Sequence, residues 1–492
     1  MRHSLIVAGL ACAFTVTAYA AATPEEAAKL GKELTAVGAE AGPNADGSIP
    51  KWTGPINFTA EQKALTLAKV KELQKLASKT NAETFKTNLK KAIEGGDISD
   101  AIPTELKTIY EGVKEQIGTS GKRSVTITAA NVAQYEGKLT EGHKALLKAY
   151  PSYKMNVFPS VRTSFFPDEI YAATAKNAIS ANLQGTDDVL GAKLGVAFPI
   201  PKSGAEVIWN HKLNFRGSAA IRYNDQAIVK PEGGFKLTKI IEDVKFKYAN
   251  IKEPPAADNK ILAFYLAKTI APPRVAGQTY LVLEPFIGNR VAYIYTPSLG
   301  RVNRAPDVGY DNPSVGTDGE QFNDQVDMFN GALDRYTWKL IGKKEVYIPY
   351  NSYVINTTQL LTYKDLLTPL HINQDYARYE LHRVWVVEAD LKPGQRHQFK
   401  KRRFYIDEDS WRIAAVDCYD NRDQLWKFQE GHLITVPFLP TTTSIPELIY
   451  DLQSRRYFTT AMINEGEIVN FEAQFPDSYF DPANLKRLTR GQ

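Results

Sequence analysis

The chain has 492 residues, 43% of them hydrophobic and 23% charged, and its formal net charge is only +5. That composition is sufficient for one large or two medium cores, and it argues against a disordered chain or a strongly basic nucleic-acid-binding protein. With only Cys12 and Cys418 present, a disulfide framework is excluded and stability has to come from burial.

In chain order, Arg2 and His3 precede an apolar run from Leu5 to Val16, which ends in the small-residue site Ala18-Tyr19-Ala20. This is the pattern of a secretory signal peptide cleaved near Ala20. Gly9 stands where a lipobox wants Leu, so acylation of Cys12 is not expected. Removing residues 1–20 takes away one Arg and no acid, leaving +4 on the mature chain. No later stretch approaches the ~18 apolar residues of a membrane helix, so a periplasmic chain without a transmembrane segment is expected. Residues 21–58 are rich in Ala, Gly and Pro and read as an arm laid over the body, with Trp52 as its anchor.

Residues 59–117 turn helical, and Leu106, Ile109, Tyr110, Val113 and Ile117 recur at spacings of three and four after Pro103, predicting a self-contained helical insertion. Residues 118–186 form a helical cover segment, with helices at about 129–150 and 167–183. From 187 to 492 the period becomes two. Strands are predicted at 219–229, 235–248, 261–270, 279–285, 290–297 and 337–348, with one short helix at 203–211. Residues 378–433 hold four consecutive β-type runs separated by Pro393-Gly394, 407–410 and 420–423, an antiparallel meander. In its first run Tyr379, Leu381, Trp385, Val387 and Ala389 share one face by alternation, while Glu380, His382 and Glu388 share the other with Val384 and Val386. Strands without intervening helices predict an α+β fold with a large curved antiparallel sheet, N-terminal helices and a helical cover.

Signatures of catalysis are missing: G-x-S-x-G, H-E-x-x-H, the phosphate loop, G-x-G-x-x-G and C-x-x-C do not occur. No enzyme, cofactor or metal is expected. The six histidines of the mature chain are scattered, although His382 and His432 have the positions to meet on neighbouring strands. The acidic stretch 306–330, with Asp307, Asp311, Asp318, Glu320, Asp324 and Asp327, reads as a calcium loop, a turn-rich gate or a partner contact. Tyr280, Tyr293, Tyr295, Trp385, Phe404, Trp411, Trp426 and Phe428 either fill a core or wall a hydrophobic cavity.

The blocks NADGSIPKWTG, ALLKAYP, FPIPKSGAEVIWNH, RVNRAPDVGYD, DMFNGALDRYTWKLIGKKEVYIPYN, YELHRVW, KRRFYIDEDSW and YDLQSRRY follow one another in the order found in a proteobacterial family of secreted proteins, the domain of unknown function 1329 family, which the chain resembles. The resemblance spans most of the mature chain outside 59–117. It implies a Lol-type lipoprotein-carrier fold, in which the curved sheet is an unclosed antiparallel half-barrel with a helical lid over a hydrophobic cavity lined by the eight aromatics above. Through it the expected partners are a hydrophobic small molecule or lipid, an inner-membrane transporter of the resistance-nodulation-division class and an outer-membrane protein; nucleic acid is not expected. The alternative is a non-carrying periplasmic scaffold subunit of an envelope transport complex.

Overall fold

A computed structural model describes residues 18–19, 21–55, 87, 123–256, 259–288, 290–305, 309–357, 361–436 and 438–490. Apart from Ala18, Tyr19 and Thr87, the signal peptide expected at 1–20 and the insertion expected at 59–117 lie outside them. Its strands in chain order are β1 (Ala18–Tyr19), β2 (Val125–Ile127), β3 (Met155–Val157), β4 (Asn182–Gln184), β5 (Asp188–Leu190), β6 (Ala219–Tyr223), β7 (Asp225–Val229), β8 (Phe235–Phe246), β9 (Ile261–Ala271), β10 (Thr279–Pro285), β11 (Val291–Thr296), β12 (Arg301–Arg304), β13 (Tyr336–Pro349), β14 (Tyr379–Leu391), β15 (Lys401–Asp407), β16 (Ile413–Tyr419), β17 (Leu425–Val436), β18 (Thr441–Asp451) and β19 (Tyr457–Met462). The α-helices are α1 (Pro24–Ala27), α2 (Glu141–Ala149), α3 (Asp168–Ser180), α4 (Gly204–Lys212), α5 (Tyr363–Leu366) and α6 (Leu485–Arg490).

Sixteen strands form one sheet in the order β12-β11-β10-β9-β8-β7-β19-β18-β17-β16-β15-β14-β3-β2, with β13 on β14 and β6 on β8, while β1, β4 and β5 make a separate small sheet. The large sheet does not close, since its path runs from β12 to β2. Hairpins make it antiparallel almost throughout; the single parallel pairing joins Tyr379 of β14 to Val157 of β3.

Both faces of the central strands are covered, so apolar residues occur at every position rather than at every second one. Val384, Val386, Tyr405, Ala415 and Phe428 belong to the cluster that contains Leu146 and Leu147 of α2. Val387, Ala389, Phe404, Ile406 and Val416 belong to the cluster that contains Val207, Ile208 and Trp209 of α4. Tyr379 and Leu381 belong to the α2 cluster and Trp385, Val387 and Ala389 to the α4 cluster, while all five alternate along the continuous strand β14. The two ends of the strand have different neighbours and so meet different covers: β15 pairs with β14 only from Val384 onward, and the first residues of β14 lie between β13 and β3.

Local chemistry sets the helices. Thr140 accepts a hydrogen bond from the His143 amide and caps α2, which divides the single helix expected at 129–150 into a 3-10 turn at Val132–Lys138 and α2. Ser203 and Glu206 form a capping box on α4. A Cβ on Gly204 would lie 2.8 Å from Val387 and 3.0 Å from the β13 backbone, so glycine lets α4 settle directly on the sheet. Gly142 plays the same part for α2, where a Cβ would fall inside the Phe428 ring.

Candidate ligand-binding site

The eight aromatic candidates divide into three groups. Trp385, Phe404, Trp411 and Trp426 belong to the α4-facing cluster, where the Trp385 and Trp411 rings stack with centroids 6.0 Å apart and Phe404 meets Phe329 at 5.5 Å. Phe428 lies in the α2-facing cluster against His143, 4.9 Å between rings. Tyr293 and Tyr295 pack under Phe475, Tyr479, Phe480 and Leu485 of the C-terminal tail, and Tyr280 points to the opposite face of the same strands. Seven of these side chains belong to three separate packed clusters, and Tyr280 lies half-buried outside them.

Charged side chains form a second interior. Arg162 grips Asp409 through two hydrogen bonds of 2.8 and 2.6 Å, and Arg383 holds Glu408 at 2.6 Å while donating to the carbonyls of Glu40 and Gly42. With Trp411 Nε1 donating to the Val37 carbonyl at 2.9 Å, these bonds tie residues 37–42 to the turn between β15 and β16. Trp52 contributes only a 3.4 Å bond to the Ser164 carbonyl. His382, Asp407 and Asp409 lie within metal-ligand distance of one another. Both oxygens of Asp409 are already taken by Arg162, which would face any cation placed there, so the group reads as a structural ion network. His382 bonds Glu380 on its own strand while His432 lies beside Glu430 on β17, with β15 and β16 between, so the two histidines are not on neighbouring strands.

The acidic stretch is neutralised from all sides. Asp311 pairs with Arg335, Asp318 with Lys236, Glu320 with Lys427 and Arg456, Asp324 with Arg402 and His397, and Asp327 with Arg412 and Arg216. A calcium loop needs several free oxygens converging on one point, and these oxygens face cations instead. Asp307 lies outside the described residues.

Two features were not found by reading the sequence. The first is a cleft of about 20 Å³ where the end of α4 meets β8 to β10, lined by Lys212, Asn214, Arg216, Phe246, Tyr248 and Tyr265. The second continues from it. Register pairs Tyr265 with Val282, Val282 with Ala292, Ala267 with Tyr280 and Tyr280 with Ile294, which places these six on one face of β9 to β11. All six are half-buried, whereas Leu266 and Leu281 on the other face are fully covered by the C-terminal tail. The outer strands therefore carry one closed and one open apolar face.

Paired with Arg216 of the cleft, Asp327 and its neighbour Met328 adopt left-handed backbone angles, φ 55° and 64°. Such a pair is costly outside glycine and persists only where surroundings hold it. His211 Nε2 donates to the Asp327 carbonyl at 2.9 Å, and its Nδ1 accepts from the Ile413 amide at 3.3 Å. Burial pushes this imidazole down to about 3, so it is neutral. Burial would raise the Asp327 carboxyl, but Arg216 and Arg412 outweigh it and hold it well below the usual range. Glu447, beside it, is raised to about 8 by burial and by the Asp327 charge.

Against this geometry, comparison with known proteins is direct. A profile described as protein of unknown function (DUF1329) matches residues 126–486. Uncharacterized protein PA3922 of Pseudomonas aeruginosa is 37% identical over 475 residues, covering 95% of this chain and 94% of that protein. The chain belongs to the DUF1329 family. Similar solved structures include a DUF1329 family protein from Desulfovibrio piger, 14% identical with a TM-score of 0.41 over 57% of this chain and 97% of that one. A putative outer membrane lipoprotein-sorting protein domain from Vibrio parahaemolyticus gives 14% identity and a TM-score of 0.41 over 58% and 99%. Within the DUF1329 match lie all the residues of the cleft, of the open face and of the Asp327 cluster. The block FPIPKSGAEVIWNH builds α4 up to His211, and DMFNGALDRYTWKLIGKKEVYIPYN runs from Asp327 through β13.

Proposed function

We propose that this protein is a periplasmic carrier that holds a lipid-like or other hydrophobic molecule on its unclosed sheet. It would work between an inner-membrane transporter of the resistance-nodulation-division class and the outer membrane. The observation that carries the reading is the half-buried apolar face of β9 to β11, with Tyr265, Tyr280, Val282 and Ile294 in register and no covering segment among the described residues. An acyl chain laid on it regains ~0.8 kcal/mol for each CH₂ removed from water, enough to compete with a bilayer for a chain of ordinary length. The leader pattern of residues 1–20 supports export, and no helix among the described residues is long and apolar enough to cross a membrane. Burial and release need no covalent step, so the reading is non-catalytic.

Native mass spectrometry of the mature protein before and after organic extraction tests it. A lipid adduct that extraction removes and added lipid restores is the expected result. A protein that never carries lipid, yet binds a purified transporter fragment, would replace the carrier by a scaffold.

A further inference from the structure

The charges around the cleft do not balance. Two guanidiniums, Arg216 and Arg412, share the single carboxylate of Asp327, with Arg412 Nη2 at 2.5 Å. Glu447 retains its proton near neutrality and His211 is neutral, so neither compensates the second arginine. Lys212 adds a further cation: its Nζ donates to the Gly331 carbonyl, and no carboxylate among the described residues comes within ion-pair distance. Glu284 across the cleft is engaged by Arg290 at 3.2 Å, and Glu242 by Arg222 at 2.7 Å.

Hydrogen-bond donors are in excess as well. Arg216 Nε, Arg412 Nε and Arg412 Nη1 are buried without an acceptor. Buried Arg402 also has unpartnered nitrogens, but Phe329, Tyr336, Phe399 and Phe404 face its guanidinium within 5.7 Å. No ring is found over Arg216 or Arg412 among the described residues. A buried cation whose donors lack acceptors is costly, and an oxyanion entering the cleft would bring negative charge to the cluster and an acceptor to Arg216, the arginine that lines it. The side chains of Arg216 and Asp327 are 16% and 21% exposed and Arg216 lines the cleft, whereas Arg412, 1% exposed, lies sealed behind them.

We infer that the cleft between α4 and β8 to β10 binds the oxyanion head of an amphiphile, a carboxylate or phosphate held by Lys212 and Arg216, with its apolar chain along Tyr265, Val282, Tyr280 and Ile294. The inference rests on the carrier reading and names its ligand class. The head meets two cations and free N–H groups, and the chain meets the one apolar face that the C-terminal tail leaves open. Neutral waxes, alcohols and sterols can accept a hydrogen bond from Arg216 but bring no negative charge to balance it.

Titration of the delipidated full mature chain with myristate, tetradecanol and a lysophosphatidic acid, followed by calorimetry, tests this. At least one of the two anions is expected to bind about tenfold or more tightly than the alcohol, the discrimination typical of a charge-assisted site. Lys212→Gln and Arg216→Gln should each remove most of that difference while leaving tetradecanol affinity unchanged. Lys212→Gln breaks no ion pair, so it serves as the test if Arg216→Gln folds poorly. Equal binding of acid and alcohol, or variants that weaken both alike, would overturn the head-group assignment and leave the carrier intact. Failure of all three amphiphiles to bind would remove the carrier reading and this inference together.

Discussion

Trp411 has φ 57° at the turn between β15 and β16, is fully buried, stacks on Trp385 and reaches the Val37 carbonyl through Nε1. Trp411→Ala is therefore expected to cost about 3–5 kcal/mol in urea unfolding, from lost area and the cavity left behind. Trp411→Phe should keep most of the packing, lose about 1 kcal/mol with the hydrogen bond, and make residues 37–42 more sensitive to proteolysis. If Trp411→Ala unfolds like the wild type, the ring does not clamp the arm. Glu447 gives a pH signature. Its carboxyl is raised from 4.5 to about 8, so between those values the native chain holds a proton that the unfolded chain has released, and stability falls as pH rises. Glu447→Gln lacks that contribution, so its urea midpoint should gain on the wild type from about pH 5 to about pH 8; a constant gap would refute the assignment. The buried aromatics were legible as aromatics in strands, but their division among three groups was not, because alternation names a face without saying what covers it. The Asp327 cluster was less legible still: Arg216, Arg412 and Glu447 are far apart in sequence and meet only through the sheet.

Hairpin spacing and period two located the meander closely, with β14 to β17 separated at the Pro393-Gly394, 407–410 and 420–423 turns. The strand expected at 219–229 divides at Asn224, whose side chain bonds Glu242 on one side and accepts from Thr460 and the Ala461 amide on the other; β6 and β7 both pair with β8, and β7 alone also pairs with β19. No composition cue marks that division, since Asn within a strand run is ambiguous. The short helix expected at 203–211 is α4, closed at its start by the Ser203–Glu206 capping box and not amphipathic: residues 204–211 are buried all round, between the sheet and the stretch that follows Asp327. The segment 59–117 was singled out by its separate helical period, and that yields a prediction. A chain with residues 59–117 replaced by a short Gly-Ser linker is expected to keep one cooperative thermal transition, with a midpoint shift of no more than about 5 °C. An insoluble product would mean that the segment is integral to the sheet domain.

The molecule combines a thoroughly buried centre with a thinly covered wing, and the difference has dynamic consequences. In β14 to β18, Val384, Val387, Phe404, Val416, Phe428 and Leu448 are all 0% exposed, and helices lie over both faces. In β9 to β11 one face rests on the C-terminal tail and the other is half-buried; β12 at the edge carries exposed Arg301, Asn303 and Arg304, charges that discourage strand pairing with another copy. Opening free energy follows the contacts that opening breaks, so the wing should open locally while the centre exchanges only through global unfolding. Native-state hydrogen exchange is expected to give amides of β9 to β12 protection lower than those of β15 to β17 by about two orders of magnitude or more. An anionic amphiphile bound on the open face should raise protection in β9 to β11 and leave β15 to β17 unchanged, because only the wing gains contacts. Uniform protection across both regions, with or without ligand, would mean that the sheet opens as one unit and that the wing is no less stable than the centre.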